Sequence, residues 1–109
     1  MCREMEDCKE EVEKSGSDCA EMLEMYNKKL VSYGLQQETR LFAHGQGYDL
    51  VERPAFFKGE TMKVKENMFF AIHPEINTGK AFGNYCDQYL VTKDGAVRVE
   101  TTPRQIYVI

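Results

Sequence analysis

Polar and apolar positions near the start of the chain repeat with the period of an α-helix. Met5, Cys8 and Val12 recur at i, i+3 and i+7 within residues 3–14, which predicts an amphipathic helix. Acidic residues dominate the rest of its surface, and the Ser-Gly-Ser segment at residues 15–17 interrupts the pattern. We therefore predict a first helix over residues 3–14.

A broader apolar stripe predicts a second helix over residues 18–33. Ser17 or Asp18 can serve as its N-cap, and Gly34 fits the position after the C-cap, where a positive φ is needed. The stripe consists of Cys19, Met22, Leu23, Tyr26, Leu30 and Tyr33. We interpret these side chains as core rather than as a cofactor site.

Short strand signals replace the helical pattern after Gly34. The predicted strands cover residues 39–43, a buried segment within residues 67–76, and residues 86–92, 96–101 and 106–109. Turns are predicted at residues 77–80 and 93–95. Residues 49–61 are predicted to be irregular, with Pro54 blocking a helix.

Two helices followed by four or five strands indicate an α+β fold. Both helices would pack on one face of a curved, mainly antiparallel sheet. The 109 residues suit a single domain with a modest core. Residues 1–34 are predicted to be helical and residues 35–109 to be β-rich.

Composition and charge disfavour several classes of partner. A net charge of −4 argues against nucleic acid. No apolar run approaches the roughly 18 residues that span a membrane, and residues 1–7 lack the apolar core of a signal peptide. We therefore expect a cytoplasmic protein that binds neither nucleic acid nor membrane. Its cysteines are expected to be reduced and have no zinc-finger spacing: Cys2, Cys8, Cys19 and Cys86.

The only two histidines, His44 and His73, each stand at the edge of a predicted strand beside a Gly or Pro. A histidine in such a place can be a structural residue as well as a ligand or proton shuttle. Gly45 and Gly47 do not belong to a phosphate loop, because no GK[ST] follows them. They fit a close approach of the backbone to another strand or to a ligand.

Four segments, in order, resemble the creatinase, aminopeptidase P and prolidase family. Residues 17–34 resemble the helix that precedes that family's active-site strand, and residues 42–54 resemble its HGxG…HExP segment. Residues 65–74 resemble its "pGMvfxiEP" strand, and residues 84–95 resemble "RIEDTvlVTedG". The resemblance implies that residues 15–103 form the second, C-terminal half of a pita-bread fold.

The resemblance also implies an altered peptidase site. Family peptidases hold two divalent metals with two Asp, one His and two Glu, and the metals activate a bridging water. The His position is retained as His44, but the Glu positions carry His73 and Cys86. The second histidine of HExP is Val51, and the Arg of RIED is Asn84. The Asp ligands belong to the N-terminal half, which these residues do not include.

Two interpretations of the altered site stay open. His44, His73 and Cys86 all have ligand-type side chains that would suit one zinc or similar divalent ion. Alternatively, the old ligands have drifted and a polar pocket works without metal. Glu52 persists from HExP and is, with His44, a candidate catalytic residue; its other role would be to anchor the loop through Arg53.

Half of a fold should expose an edge strand and an apolar face, which require a partner. The partner would be a second copy in a homodimer, a chain supplying the N-terminal half, or the remainder of a longer protein. Two functions follow. The chain is a peptidase-like hydrolase half, inactive alone as a two-metal enzyme, that needs the missing half to cleave a C–N bond of a small peptide or amino-acid derivative. Otherwise it is a non-catalytic module that binds a ligand or protein.

Overall fold

The computed structural model describes residues 16–109. The predicted first helix, together with Cys2 and Cys8, lies outside these residues. The described part contains one helix, α1 (Cys19–Ser32), and seven strands: β1 (Ala43–Gly45), β2 (Glu52–Ala55), β3 (Phe69–Ile72), β4 (Glu75–Asn77), β5 (Phe82–Asn84), β6 (Asp87–Thr92) and β7 (Gly95–Arg98). Within residues 16–109, no helix is long and apolar enough to cross a bilayer.

Helix α1 confirms the predicted second helix and selects Asp18 as its N-cap. The Asp18 Oδ1 atom accepts hydrogen bonds from the N–H of Ala20 at 2.9 Å and of Glu21 at 3.4 Å. Gly34 follows the C-cap residue with a φ of 75°, as predicted. The buried face of the helix carries Cys19, Met22, Tyr26 and Leu30.

Five strands form an antiparallel sheet in the order β2-β1-β3-β6-β7, and β4 pairs with β5 in a separate hairpin. The α+β class and the mainly antiparallel sheet are confirmed. The strands predicted within residues 67–76, 86–92 and 96–101 appear as β3, β6 and β7. Among the described residues, one helix rather than two packs on this sheet.

Side chains along a strand point alternately to the two faces of the sheet. One face packs against α1 and is called the covered face, and the other is called the open face. Ala43, Phe70 and Ile72 lie on the covered face, in one core cluster with the side chains of α1. The Tyr26 ring stacks on Phe42 with centroids 4.6 Å apart. The strand residues between these core positions, such as His44, therefore point to the opposite face.

Three predictions about strands are corrected. The strand expected at residues 39–43 is β1, shifted to Ala43–Gly45, so the histidine and first glycine belong to a strand and not to a loop. Residues 49–61, expected to be irregular, contain β2, where Pro54 is tolerated because β2 is an edge strand. Residues 106–109 form no strand and are exposed.

Candidate functional site

The two histidines lie side by side on the open face of the sheet. His44 in β1 is the Cα partner of Ala71 in β3, and His73 follows Ala71 by two residues. The two imidazoles are therefore diagonal neighbours on one face. Their ring centroids are 5.1 Å apart and their planes are tilted by 59°. The structure brings together the two histidines that the sequence singled out.

Hydrogen bonding of His44 determines which ring nitrogen accepts a proton. Its Nδ1 atom lies 2.9 Å from the Gly45 carbonyl oxygen. Because a carbonyl oxygen only accepts hydrogen bonds, Nδ1 carries the hydrogen and donates it. The lone pair is then on Nε2, which is the atom that can accept a proton or bind a ligand. The side chain is buried, so this orientation is fixed by its surroundings.

His73 is partly buried beside His44. Burial, and then the positive charge that His44 would carry when protonated, lower the pKa of His73 below its ordinary value. Its backbone N–H donates to the Phe42 carbonyl at 2.7 Å, which fixes the residue at the end of β3. His73 is therefore predominantly a neutral imidazole at pH 7.

Gly45 allows β2 to approach the histidine closely. The pairing of β1 with β2 is irregular between His44 and Gly45. A Cβ atom on Gly45 would lie 2.9 Å from the backbone oxygen of Arg53, closer than real Cβ contacts allow. The glycine predicted to serve a close backbone approach does so against β2. The β1–β3 pairing then sets His44 beside His73.

Glu52 is bound to the loop that follows β1. Its Oε1 atom accepts a hydrogen bond from the Asp49 N–H at 2.7 Å. A Cβ atom on Gly47 would lie 2.7 Å from its Oε2 atom, so the carboxylate packs against that glycine. Arg53, the expected route of anchoring, pairs instead with Glu60. Glu52 therefore anchors the loop through its own carboxylate and not through Arg53.

Cys86 lies directly before β6, in the segment that leaves the sheet at the same end as His73. It is exposed, and partial desolvation followed by the charges of Glu100 and Asp87 raises the pKa of its thiol. Metals bind the thiolate and not the thiol. Within residues 16–109, no three or more His, Cys, Asp or Glu side chains are arranged to hold a metal ion.

The residues present do not fit the two-metal centre that the family resemblance implies. Two of its carboxylate positions are His73 and Cys86, and their chemistry differs from that of hard, bridging carboxylates. A mechanism through a metal pair therefore does not suit these side chains. The single zinc ion expected at His44, His73 and Cys86 stays a prediction.

Two residues that the sequence interpretation missed also lie at this site. Gln88 in β6 is the Cα partner of Ala71, the residue that also pairs with His44. Its Nε2 atom lies 3.5 Å from the Gln46 side-chain oxygen. The register of β6 against β3 places this amide on the open face beside the histidines. Alternation along residues 86–92 is the signal that could have indicated it.

Asp87, on the covered side, is a buried anchor. Its carboxylate forms an ion pair with Arg98, whose Nε lies 3.0 Å away, and accepts a hydrogen bond from Arg104 Nε at 2.8 Å. These contacts join β6, β7 and the chain after β7. The residue therefore stabilises the sheet beneath the site rather than entering it.

No curated protein sequence matched the chain. The prolidase from Pyrococcus horikoshii OT3 shares 23% identity at a TM-score of 0.83, covering 97% of this chain and 31% of that one. The X-Pro aminopeptidase from Thermotoga maritima MSB8 shares 20% identity at a TM-score of 0.80, covering 98% and 32%. Dipeptidase PepE from Mycobacterium ulcerans shares 22% identity at a TM-score of 0.77, covering 95% and 29%.

These structures share the fold, and the chain spans about a third of their length. The family comparison is independent of them. Residues 2–103 match metallopeptidase family M24, which is most of the chain. The chain therefore belongs to metallopeptidase family M24.

Proposed function

We propose that this chain is the second half of a peptidase-like domain that does not perform two-metal hydrolysis by itself. Its working groups are the His44 and His73 imidazoles on the open face of the sheet, acting without metal. The observation that carries the proposal is the juxtaposition of these two rings at 5.1 Å on the open face.

The proposed reaction is hydrolysis of a C–N bond in a small peptide or amino-acid derivative, once the missing half is supplied. His44 Nε2 would accept the proton of an attacking water and return it to the leaving nitrogen. Neutral His73 would orient the water or the substrate carbonyl. Prolidase and X-Pro aminopeptidase among the structural relatives support an Xaa-Pro peptide as the first substrate to try.

A binding module is the second candidate, supported by the loop beside His44. Tyr48, Leu50 and Val51 are exposed there, although the Glu52 carboxylate fixes the loop backbone. A fixed loop that presents apolar side chains suits recognition of a ligand or protein. In this case the same face of the sheet would bind a peptide without cleaving it.

Turnover and binding of an Xaa-Pro dipeptide separate the two candidates. The chain alone, with and without Mn²⁺ or Zn²⁺, should release no proline above the buffer rate. NMR shifts of His44 and His73 on adding the dipeptide should disappear in His44→Asn and persist in the exposed control Glu66→Gln. Turnover after adding the N-terminal half of a prolidase supports the hydrolase, whereas binding without turnover supports the module.

Metal binding tests whether the two histidines work without a metal ion. After dialysis the chain should contain no stoichiometric zinc by elemental analysis, and added Zn²⁺ should not raise its melting temperature. A metal that binds only the folded state would raise that temperature. One zinc per chain, lost in His44→Asn, or metal-dependent turnover by the chain alone would overturn the proposal.

A further inference from the structure

Gln88 is held in place by hydrogen bonds to its backbone. Its N–H donates to both carboxylate oxygens of Glu100, at 2.9 Å and 3.0 Å, and its C=O accepts from the Val99 N–H at 3.0 Å. Both backbone groups therefore point away from β3. Ala71 and Gln88 are thus a non-hydrogen-bonded pair, in which facing side chains approach most closely. A fixed backbone therefore brings the Gln88 side chain close to β3.

His44 and Gln88 stand on the two sides of Ala71, on one face of the sheet. Ala71 is the Cα partner of both residues. Because neighbouring strands are about 4.8 Å apart, the Cα atoms of His44 and Gln88 are separated by about 10 Å. Ala71 is buried, and its methyl group is too short to stand between the imidazole and the amide. A carbonyl group and a water molecule can bridge this separation.

Gln46 turns the amide of Gln88 toward β1. It follows His44 by two residues, and its N–H continues the ladder by donating to the Phe69 carbonyl at 2.9 Å. Its side-chain oxygen lies 3.5 Å from the Gln88 Nε2 atom. An amide NH₂ group carries two hydrogens, and this contact uses one of them. The other can be donated to a bound molecule beside His44.

Hydrolysis without metal needs a hydrogen-bond donor for the carbonyl oxygen of the substrate. Negative charge develops on that oxygen when water attacks, and a metal ion would otherwise stabilise it. His44 does not supply the donor, because its Nδ1–H is bonded to the Gly45 carbonyl and its Nε2 atom accepts the proton of the water. A glutamine amide suits this task, because it donates a hydrogen bond without titrating.

We propose that Gln88 is a catalytic residue, whose Nε2–H donates to the carbonyl oxygen of the scissile bond while His44 faces the attacking water. The inference rests on the proposed function and names how that site would hold its substrate. His73, the neighbour of His44, then orients the water rather than the carbonyl. The bond before a proline has no N–H, so the carbonyl oxygen is its only hydrogen-bonding group. A single amide donor therefore suits the Xaa-Pro peptides proposed as substrates.

The proposed reaction proceeds through a tetrahedral intermediate. The water oxygen bonds to the carbonyl carbon, its proton moves to His44 Nε2, and the π electron pair of the C=O bond moves onto the oxygen that Gln88 holds. When that pair returns, the C–N bond breaks and His44 protonates the leaving nitrogen. Gln88 neither gains nor loses a proton. Its hydrogen bond stabilises the charged intermediate.

Infrared spectroscopy of a bound dipeptide tests this hydrogen bond directly. The probe is alanyl-proline with a ¹³C-labelled alanine carbonyl, added to the 109-residue chain. Gln88→Met keeps the approximate shape of the side chain but has no donor, so the bound C=O band should lie at higher frequency than in the parent. Gln36→Met, at an exposed position between α1 and β1, should leave the band unchanged. Identical bound bands in the parent and in Gln88→Met would overturn the inference.

Binding measured by NMR separates this inference from the proposed function. In the parent chain, which needs no substitution, the dipeptide should shift the side-chain amide signals of Gln88 and leave those of Gln36 unchanged. Loss of the donor in Gln88→Met should raise the Kd about three- to tenfold. An unchanged Kd in Gln88→Met, with shifts that still vanish in His44→Asn, would overturn the role of Gln88 alone. Absence of any binding by the parent chain would overturn the proposed function as well.

Discussion

The guanidinium of Arg53 holds the carboxylate of Glu60 with two bonds, from Nη2 to Oε1 at 2.5 Å and from Nε to Oε2 at 3.2 Å. The Glu60 side chain is fully buried, whereas that of Arg53 is mostly exposed. Backbone N–H groups complete the environment of the carboxylate: Ala55 at 3.0 Å, Thr61 at 2.8 Å and Met62 at 2.9 Å. This single carboxylate therefore joins β2 to the segment at residues 60–62.

Replacing Glu60 by Gln should destabilise the fold strongly. The amide cannot accept all five hydrogen bonds, and its NH₂ group would face backbone donors. Leaving the buried N–H of Ala55 without a good acceptor costs about 1–3 kcal/mol in the free energy of unfolding. Urea denaturation measures the change. Glu66→Gln, at an exposed position, should change the same quantity by less than about 0.5 kcal/mol.

The same carboxylate should make stability depend on acid pH. The bonds from Arg53 and from the backbone hold the pKa of Glu60 well below its ordinary value of 4.5. Its contribution is therefore fully present above about pH 4.5 and is lost as the pH falls further. Urea denaturation between pH 7 and pH 3 should show this loss. An equally steep loss in Glu60→Gln would contradict the assignment.

His73 should titrate below its ordinary pKa of 6.5, because burial and a protonated His44 both oppose its charged form. NMR of the imidazole Cε1–H signals measures the midpoint. In His44→Asn the midpoint should rise but stay below 6.5, since burial remains. The contribution of His73 to stability is present above pH 6.5 and declines as the pH falls below that value. A midpoint that does not move in His44→Asn would contradict the contact between the rings.

Gly45 and Gly47 offer a matched pair of substitutions. Gly45→Ala would push a methyl group into the backbone oxygen of Arg53, so β2 must move. Overpacking of this kind lowers the free energy of unfolding by about 1–3 kcal/mol. Gly47→Ala would meet only the Glu52 side chain, which can turn away. Thermal or urea unfolding should therefore show a clearly larger loss for Gly45→Ala, and equal losses would refute the close approach.

Local signals predicted much of the fold. Residues 18–33 combined an apolar stripe with a cap and a terminal glycine, and α1 matches them to within one residue at each end. Residues 69–72, just before His73, are all apolar, as suits the mostly buried strand β3. This strand could therefore be predicted without knowing which strands pair with it. Strand β2 escaped prediction because Glu-Arg-Pro-Ala has no alternation. Its strand form comes from pairing with β1.

The candidate site could be predicted only in part. The family resemblance pointed to His44 and His73 as members of one altered site, whereas the place of Gln88 depends on the register between β3 and β6. Register is a tertiary property, so residue spacing alone does not specify it. The strand predicted for residues 106–109 was wrong for a related reason. A β-forming composition does not make a strand until another strand lies beside it.

The alternation of β1 and β3 has an evolutionary consequence. Ala43, Phe70 and Ile72 pack under α1, while His44 and His73 point to the other side of the same strands. Substitutions on the open side can therefore accumulate with little effect on folding, because they do not disturb the core. If His73 and Cys86 stand where the family resemblance puts carboxylates, this separation explains how the fold is kept despite the exchange. Selection for a new activity could act on one face while the other preserves the architecture.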